Sequence, residues 1–234
     1  MARILLLTPQ LPYPPHQGTS LRNFHIIRGL AGRHEVTLLS FVEANQSAEA
    51  AAIAPLLALC ARVETAAVPP RTTATRLRQL LTTHSPDMPH RLHSQAFNLK
   101  LRQLLAETRF DVVQVEGIEL ARAMAIVRAA SPWSRIVFDD HNAETELQRR
   151  NMLTDLRQPR RWPAAAYSWV QVRRLRRFER WACATADAVT AVSDGDAAQL
   201  AALRPEPRPP IRVIPNCIDV EAYRLAAETA VAAD

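Results

Sequence analysis

Short apolar runs alternate along the chain with longer stretches in which apolar residues recur every three or four positions. Ile4–Leu7, Glu35–Phe41, Val63–Val68, Asp111–Val115, Arg135–Phe138, Ala188–Val192 and Arg212–Ile214 have the length and apolar or β-branched content of strands. Thr19–Ala31, Ser47–Cys60, Arg71–Thr83, Ser94–Thr108, Gly117–Ala130, Ala164–Thr185 and a segment opening at Ser193 follow the helical period. Pro55 interrupts the second of these, and His84–His90, with Pro86 and Pro89, reads as loop. Seven strands alternating with helices predict one α/β domain, a doubly wound, mostly parallel, Rossmann-like sheet covered on both faces. This domain is expected to fill residues 1–217, with residues 218–234, short and alanine-rich, as a linker or the start of something further. Arg204–Pro210 reads as a proline-rich connector.

The start of the chain sets the pattern. Ile4–Leu7 runs into a loop broken by Pro9, Pro12, Pro14 and Pro15, which reaches Gly18 and then a helix. Thr19 or Ser20 can cap that helix, Leu21, Phe24, Ile27 and Leu30 form its expected buried stripe, and Gly32 ends it. Gly18 is expected to supply backbone freedom and to let a ligand approach the main chain. In open parallel sheets the ligand crevice lies at the carboxyl ends of the strands. The loop lacks G-x-G-x-x-G, and no G-x-x-x-x-G-K-[ST] occurs, which argues against an NAD enzyme and a P-loop ATPase.

Composition adds bounds. With 234 residues, 48% of them hydrophobic and 22% charged, the chain has an ordinary globular balance. No apolar run reaches the ~20 residues of a membrane span, and the N-terminal run is too short for a signal peptide. Cys60, Cys183 and Cys217 show no metal spacing and read as reduced thiols of a cytoplasmic protein. The net charge of +6 suits an anionic ligand or surface.

Several polar groups fall at strand ends. Asp139-Asp140-His141-Asn142-Ala143-Glu144 follows one strand, and it admits three readings. His141 and its neighbours bind a substrate hydroxyl; or Asp139, Asp140 and His141 ligate a metal, with His84, His90 and His93 as further ligands, as in a phosphohydrolase; or Asn142 caps a short helix through Glu146. Glu116 ends another strand and can hold a sugar hydroxyl or an arginine. Ser193 with Asp196 forms a capping-box variant, and a ligand contact from Ser193 would be additional.

Between Arg149 and Trp181 the chain carries ten arginines, opposed by Asp155 and Glu179. Arg173, Arg176, Arg177 and Arg180 share a helix face with Trp169, opposite Leu175, Phe178 and Ala182. That face is either solvated or suited to an anionic membrane surface. No nucleic-acid motif accompanies the charge, so nucleic acid is not an expected partner.

Taken together, several segments resemble the N-terminal domain of glycosyltransferase family 4, the retaining GT-B enzymes. They are Leu11–Pro15 through Gly18, Gly32–Val36, Phe110–Val113, Asp140–Asn142, Ala186–Ser193 and Val213–Asp219, in the family's order. The loop from Pro12 to Arg22 looks most like a bacterial exopolysaccharide subgroup. The resemblance implies two facing Rossmann-like domains, with acceptor on the first and nucleotide-sugar mainly on the second. It implies a hexosyltransferase acting on a glycan or lipid-linked acceptor by front-face attack, with no metal and no other cofactor. His141 matches the family's active-site histidine, and the Gly18 loop would approach the donor diphosphate and the transferred sugar. Arg22 and Glu116 are acceptor-side candidates, Asn142, Glu144 and Ser193 complete the substrate-binding set, and Asn216 leads towards the second domain. The chain departs from the family in carrying Cys217 where glycine is usual. The donor-binding C-terminal domain is expected to lie outside these residues. A non-catalytic, truncated module that binds an anionic membrane surface or a partner through the arginine helix is the competing reading.

Overall fold

The computed structural model describes residues 1–16, 18–43, 46, 48–203 and 211–216. Seven strands form one sheet: β1 (Arg3–Thr8), β2 (Glu35–Val42), β3 (Arg62–Ala67), β4 (Val112–Glu116), β5 (Arg135–Asp140), β6 (Ala188–Ala191) and β7 (Arg212–Val213). Their order is β3-β2-β1-β4-β5-β6-β7, and every pairing is parallel. The doubly wound Rossmann-like sheet expected from the alternation is present, and it is wholly rather than mostly parallel. The chain winds outward from β1 to β3, then returns to β4 on the other side of β1. Between β1 and β4 the connections diverge, which opens a crevice at the carboxyl rim.

The alternation of side chains along β1 fixes the layers. Leu5 and Leu7 face a core shared with Phe41, Phe97, Val113 and Phe138, whereas Leu6 faces Leu11, Ile27, Leu38 and Leu56 on the opposite side. Phe41 and Phe97 stack with centroids 4.4 Å apart.

The helices are α1 (Gly18–Ala31), α2 (Ala54–Leu59), α3 (Thr73–Thr82), α4 (Met88–Arg91), α5 (Gln95–Glu107), α6 (Ala123–Ala130), α7 (Glu144–Leu156), α8 (Trp162–Thr185) and α9 (Asp194–Leu203). Several depart from the periodicity. Pro55 sits in the first turn of α2 and starts a short helix there, instead of interrupting a long one from Ser47, which lies outside the described residues. Pro89 likewise opens α4 inside the segment expected to be loop. The single helix expected over Gly117–Ala130 is a 3₁₀ turn at Ile118–Leu120 followed by α6, with Gly117 before both. In α1 the buried residues are Ser20, Arg22, Asn23 and Ile27, so three of the deepest positions are polar and Leu21, Phe24 and Leu30 are only half-buried.

The largest departure is α7. A short helix through Glu146 was one of three readings; the helix runs thirteen residues, to Leu156. Asn142 does not cap it. The Glu144 amide donates to Glu179 Oε1 at 2.7 Å and the Ala143 amide to Asp196 Oδ1 at 3.0 Å. Two carboxylates from distant elements thus take up the orphan amides of this helix start. Arg204–Pro210, Cys217 and residues 218–234, including the expected connector and linker, lie outside the described residues.

Candidate active site

β4 ends at Glu116 and β5 at Asp139 and Asp140, so their parallel register brings three carboxyl groups to the rim. His141 follows at once. Its Nε2 lies 2.8 Å from Glu116 Oε2 and 3.9 Å from Asp139 Oδ2. Arg22 reaches in from α1: Nε donates to Asp139 Oδ2 at 2.8 Å and Nη2 to Oδ1 at 3.0 Å. The Thr190 hydroxyl on β6 donates to Asp139 Oδ1 at 2.6 Å, and Gln114 donates to Glu116 Oε1 at 2.6 Å. The remaining Arg22 nitrogen donates to the Ile214 carbonyl at 2.7 Å and to Asn216 Oδ1 at 3.3 Å. Residues far apart in the chain therefore share one network: Arg22, Glu116, Asp139, His141, Thr190 and Asn216.

Burial dominates its electrostatics. Burial pushes Glu116 up to about 7, helped by the charge of Asp139. Burial would raise Asp139 too, but Arg22 outweighs it and the net shift is downward. Burial alone would lower His141, yet its hydrogen bond to Glu116 and the nearby Asp139 charge carry its pKa above the ordinary value. At neutral pH the arrangement holds Arg22 and Asp139 as an ion pair, with a proton retained between His141 and Glu116. Since Nε2 is committed to Glu116, Nδ1 is the ring nitrogen left to meet a ligand.

Asp140 belongs to a second acid group. Its Oδ2 is buried without a donor, and burial together with Glu179 raises its pKa well above the usual range. Glu144 is likewise raised by burial, to about 7.

His141, Asn142 and Glu144 open onto a hollow of about 220 Å³ with Thr19, Gly117, Glu119, Arg91 and Glu43. A wider hollow of about 630 Å³ continues from it past Glu144, Glu43, Arg91 and Leu92 to Arg71, Arg76 and Gln148. Together they make a groove that begins at the switch point and runs outward between α7 and the α3–α4 region. Gly18 is the first residue of α1, and a Cβ there would meet nothing within 4 Å. Its expected backbone freedom is not used. The glycine that the fold requires is Gly117, at φ +79°, where a Cβ would stand 3.1 Å from Glu119 Oε2 and 3.9 Å from His141 Nδ1. Ser193 lies outside the groove. It caps α9, accepting from the Asp196 amide at 3.1 Å, and faces a separate hollow that it shares with Asn142.

The structure rearranges the metal reading as well. Glu116, rather than Asp140, joins Asp139 and His141 as three groups whose donor atoms lie within 4.8 Å of one another. His90 instead contacts Thr83, and burial and Arg122 lower its pKa to about 4. The triad does not suit a cation, because Arg22 occupies both oxygens of Asp139 and Gln114 and His141 occupy those of Glu116. Sequence reasoning missed Thr190, Gly117, Glu119 and Arg91. Only Gly117, a glycine directly after a strand-end acid, carried a local signal.

Comparison with known proteins follows this geometry. The profile described as Glycosyltransferase Family 4 matches residues 17–222. No curated protein sequence matches. Among solved structures, Phytolacca americana UGT2 complexed with UDP-2fluoro-glucose and pterostilbene is 14% identical, with TM-score 0.52 over 97% of this chain and 57% of that one. LpCGTa in complex with UDP is 14% identical, with TM-score 0.55 over 97% of this chain and 57% of that one. The Candida albicans trehalose-6-phosphate phosphatase N-terminal domain is also 14% identical, with TM-score 0.52 over 100% of this chain and 54% of that one. At such identities the likeness is one of fold, and the chain spans little more than half the length of these proteins.

Proposed function

Because the chain belongs to glycosyltransferase family 4, we propose that it is the acceptor-side, N-terminal domain of a retaining GT-B enzyme. The enzyme transfers a hexose from a nucleotide-sugar to a glycan or lipid-linked acceptor in polysaccharide synthesis of the bacterial exopolysaccharide kind. Residues 1–217 make this domain, and residues 218–234 lead towards a donor-binding one. The protein works in the cytoplasm, against the inner face of the membrane.

The observation that carries this reading is the buried network that presents His141 to a groove at the β1–β4 switch point. In the reaction the bond from the sugar's anomeric carbon to the diphosphate breaks and a bond to the acceptor oxygen forms on the same face. The acceptor proton leaves with the diphosphate. His141 Nδ1 meets a hydroxyl of the transferred hexose, and Glu116 orients the ring from behind. Asp139 and Arg22 hold that pair in place. The start of α1 at Gly18 turns the positive end of its dipole towards the leaving diphosphate. Asn142 and Glu144 face the acceptor in the groove, and Asn216 ties the Arg22 guanidinium to the segment that leads on. Ser193 contributes only as the cap of α9. No metal is assigned a role.

Two measurements test this. Protein carrying this chain, given labelled UDP- or GDP-hexose and a membrane extract, should label a glycan or lipid fraction, and His141→Ala should cut the rate at least ~100-fold. No transfer from any common nucleotide-hexose overturns the reading. Calorimetry of the 234-residue chain with the same donors should show weak binding or none; tight binding with turnover by this chain alone would end the two-domain account.

A further inference from the structure

β4 gives way at Gly117 to the 3₁₀ turn, and Arg122 stands just before α6. Arg122 lines a hollow of about 270 Å³ between α4, α5 and α6. Phe97, Leu120 and Ile126 give this hollow apolar walls, and Arg102, His93 and Asn98 add polar donors. Glu119 is the one acid among its lining residues, and it is held by Arg91 at 3.4 Å. Arg122 is half-buried, and its Nη2 donates to the Ser85 hydroxyl at 2.5 Å. Among the described residues, no carboxylate lies within ion-pair distance of its guanidinium. Burial lowers its pKa from the ordinary value. A charge withdrawn from water is costly unless it is matched. Arg22 and Arg71 are matched, by Asp139 and Asp87, whereas Arg122 meets a neutral hydroxyl. Its charge is also felt next door. Burial, Arg122, Arg71 and His93 hold His90 at about 4, against the opposing pull of Asp87.

We propose that the hollow between α4, α5 and α6 binds a small organic anion, its phosphate or carboxylate on Arg122 and its carbon body against Phe97, Leu120 and Ile126. A guanidinium offers either group a two-pronged contact. The apolar walls keep water from one side of that contact, which strengthens it. α6, eight residues long, opens at Ala123 in the wall of the hollow, so the positive end of its dipole adds to the same field. The volume lies near the lower end of small-molecule pockets and suits one ring or a short chain. The occupant is distinct from the sugar acceptor, because neither His141 nor Glu144 is among the residues that line this hollow. Leu92 and Glu119 line both this hollow and the head of the groove. An anion beside Arg122 therefore repels Glu119 and bears on the wall of the groove from behind, which is the position of an effector. The inference stands apart from the transfer reaction, which can fail without touching it.

The test titrates the 234-residue chain with phenyl phosphate, benzoate, inorganic phosphate and benzyl alcohol, followed by NMR of the histidine imidazoles. Phenyl phosphate or benzoate should bind saturably, at least ~10-fold tighter than inorganic phosphate, the margin of a buried ring. The neutral alcohol should not bind. The tighter of the two aromatic anions assigns a phosphate ester or a carboxylate as the class of the natural occupant. Arg122→Gln should weaken that binding at least ~10-fold. Arg33→Gln, at an exposed arginine beyond the end of α1, should leave it unchanged. A bound anion should offset the charge beside His90 and raise its pKa from about 4, and Arg122→Gln should raise it without any ligand. The response of His90 to ligand is read in the parent protein, so a variant that does not fold leaves the test intact. No saturable binding of either aromatic anion below ~10 mM overturns the proposal. So does binding that survives Arg122→Gln unchanged, or a His90 that does not move at saturation.

Discussion

Arg22 and the arginines of α8 are the same side chain in opposite circumstances. Arg22 is 3% exposed, and its nitrogens meet Asp139, a backbone carbonyl and Asn216. Arg176 and Arg177 are exposed, with no acid within ion-pair distance among the described residues. Inside, low polarity makes an unmatched charge prohibitive, so donors are matched nearly one for one. Outside, water screens the row and the fold does not require partners for it. A fully paired charge maintains geometry; an unpaired row is available to something else.

The sharpest way to break this contrast is to remove Arg22. Arg22→Ala leaves the Asp139 carboxylate buried without its guanidinium partner, held only by Thr190 and the more distant His141, and should destabilise the protein by about 3–5 kcal/mol in urea unfolding. Arg22→Lys should recover only part of this, because lysine cannot reproduce the two-pronged contact. Replacing both partners with Met and Leu should cost clearly less than Arg22→Ala. A loss under ~1 kcal/mol for Arg22→Ala would mean that water reaches the network.

The pH dependence comes next. Burial raises Glu116 from 4.5 to about 7. A carboxyl with a raised folded pKa adds stability that is fully present below pH 4.5 and is lost as pH rises through about 7. Its share is at most about 3 kcal/mol. His141, also raised, acts in the same direction at higher pH, and Glu144 does so over the same window as Glu116. Unfolding measured from pH 4.5 to 8 should show declining stability, and Glu116→Gln should flatten part of the decline. A stability that rises through this window in the parent protein would contradict the protonation scheme of the site.

Gly117→Ala should cost about 1–3 kcal/mol, since φ +79° with an extended ψ is essentially closed to other residues and Glu119 must also give way. Thermal unfolding reads it directly. At the small end, Arg176→Ala or Arg177→Ala should change stability by no more than about 0.5 kcal/mol. A large loss from either would show that the row is structural after all.

Much of the scaffold was legible in the sequence. The parallel sheet followed from apolar runs spaced by helical segments, and all seven strands lie where those runs predict them. Helices were less legible where burial overrides period. α1 turns Arg22 inward to the rim network and buries Ser20 and Asn23 beside it, three polar positions that an apolar period does not mark. α7 escaped because its capping groups, Glu179 and Asp196, arrive from far along the chain and leave no local signature. The site divides in the same way. His141 and Glu116 were visible as polar residues ending apolar strands. That Arg22 clasps Asp139 across 117 positions could not be read from spacing, because strand order decides which rim residues become neighbours.

The clasp between Arg22 and Asp139 also has a consequence for biosynthesis. Arg22 leaves the ribosome 117 residues before its carboxylate partner and 192 before the Ile214 carbonyl. At ordinary elongation rates that gap lasts on the order of ten seconds. Through that interval α1 carries a solvated cation on what will become an interior face, so it cannot dock finally on the sheet. Completion of the rim therefore waits until residues 139 and 214 have both emerged, and a nascent chain arrested before residue 139 should leave α1 open to protease.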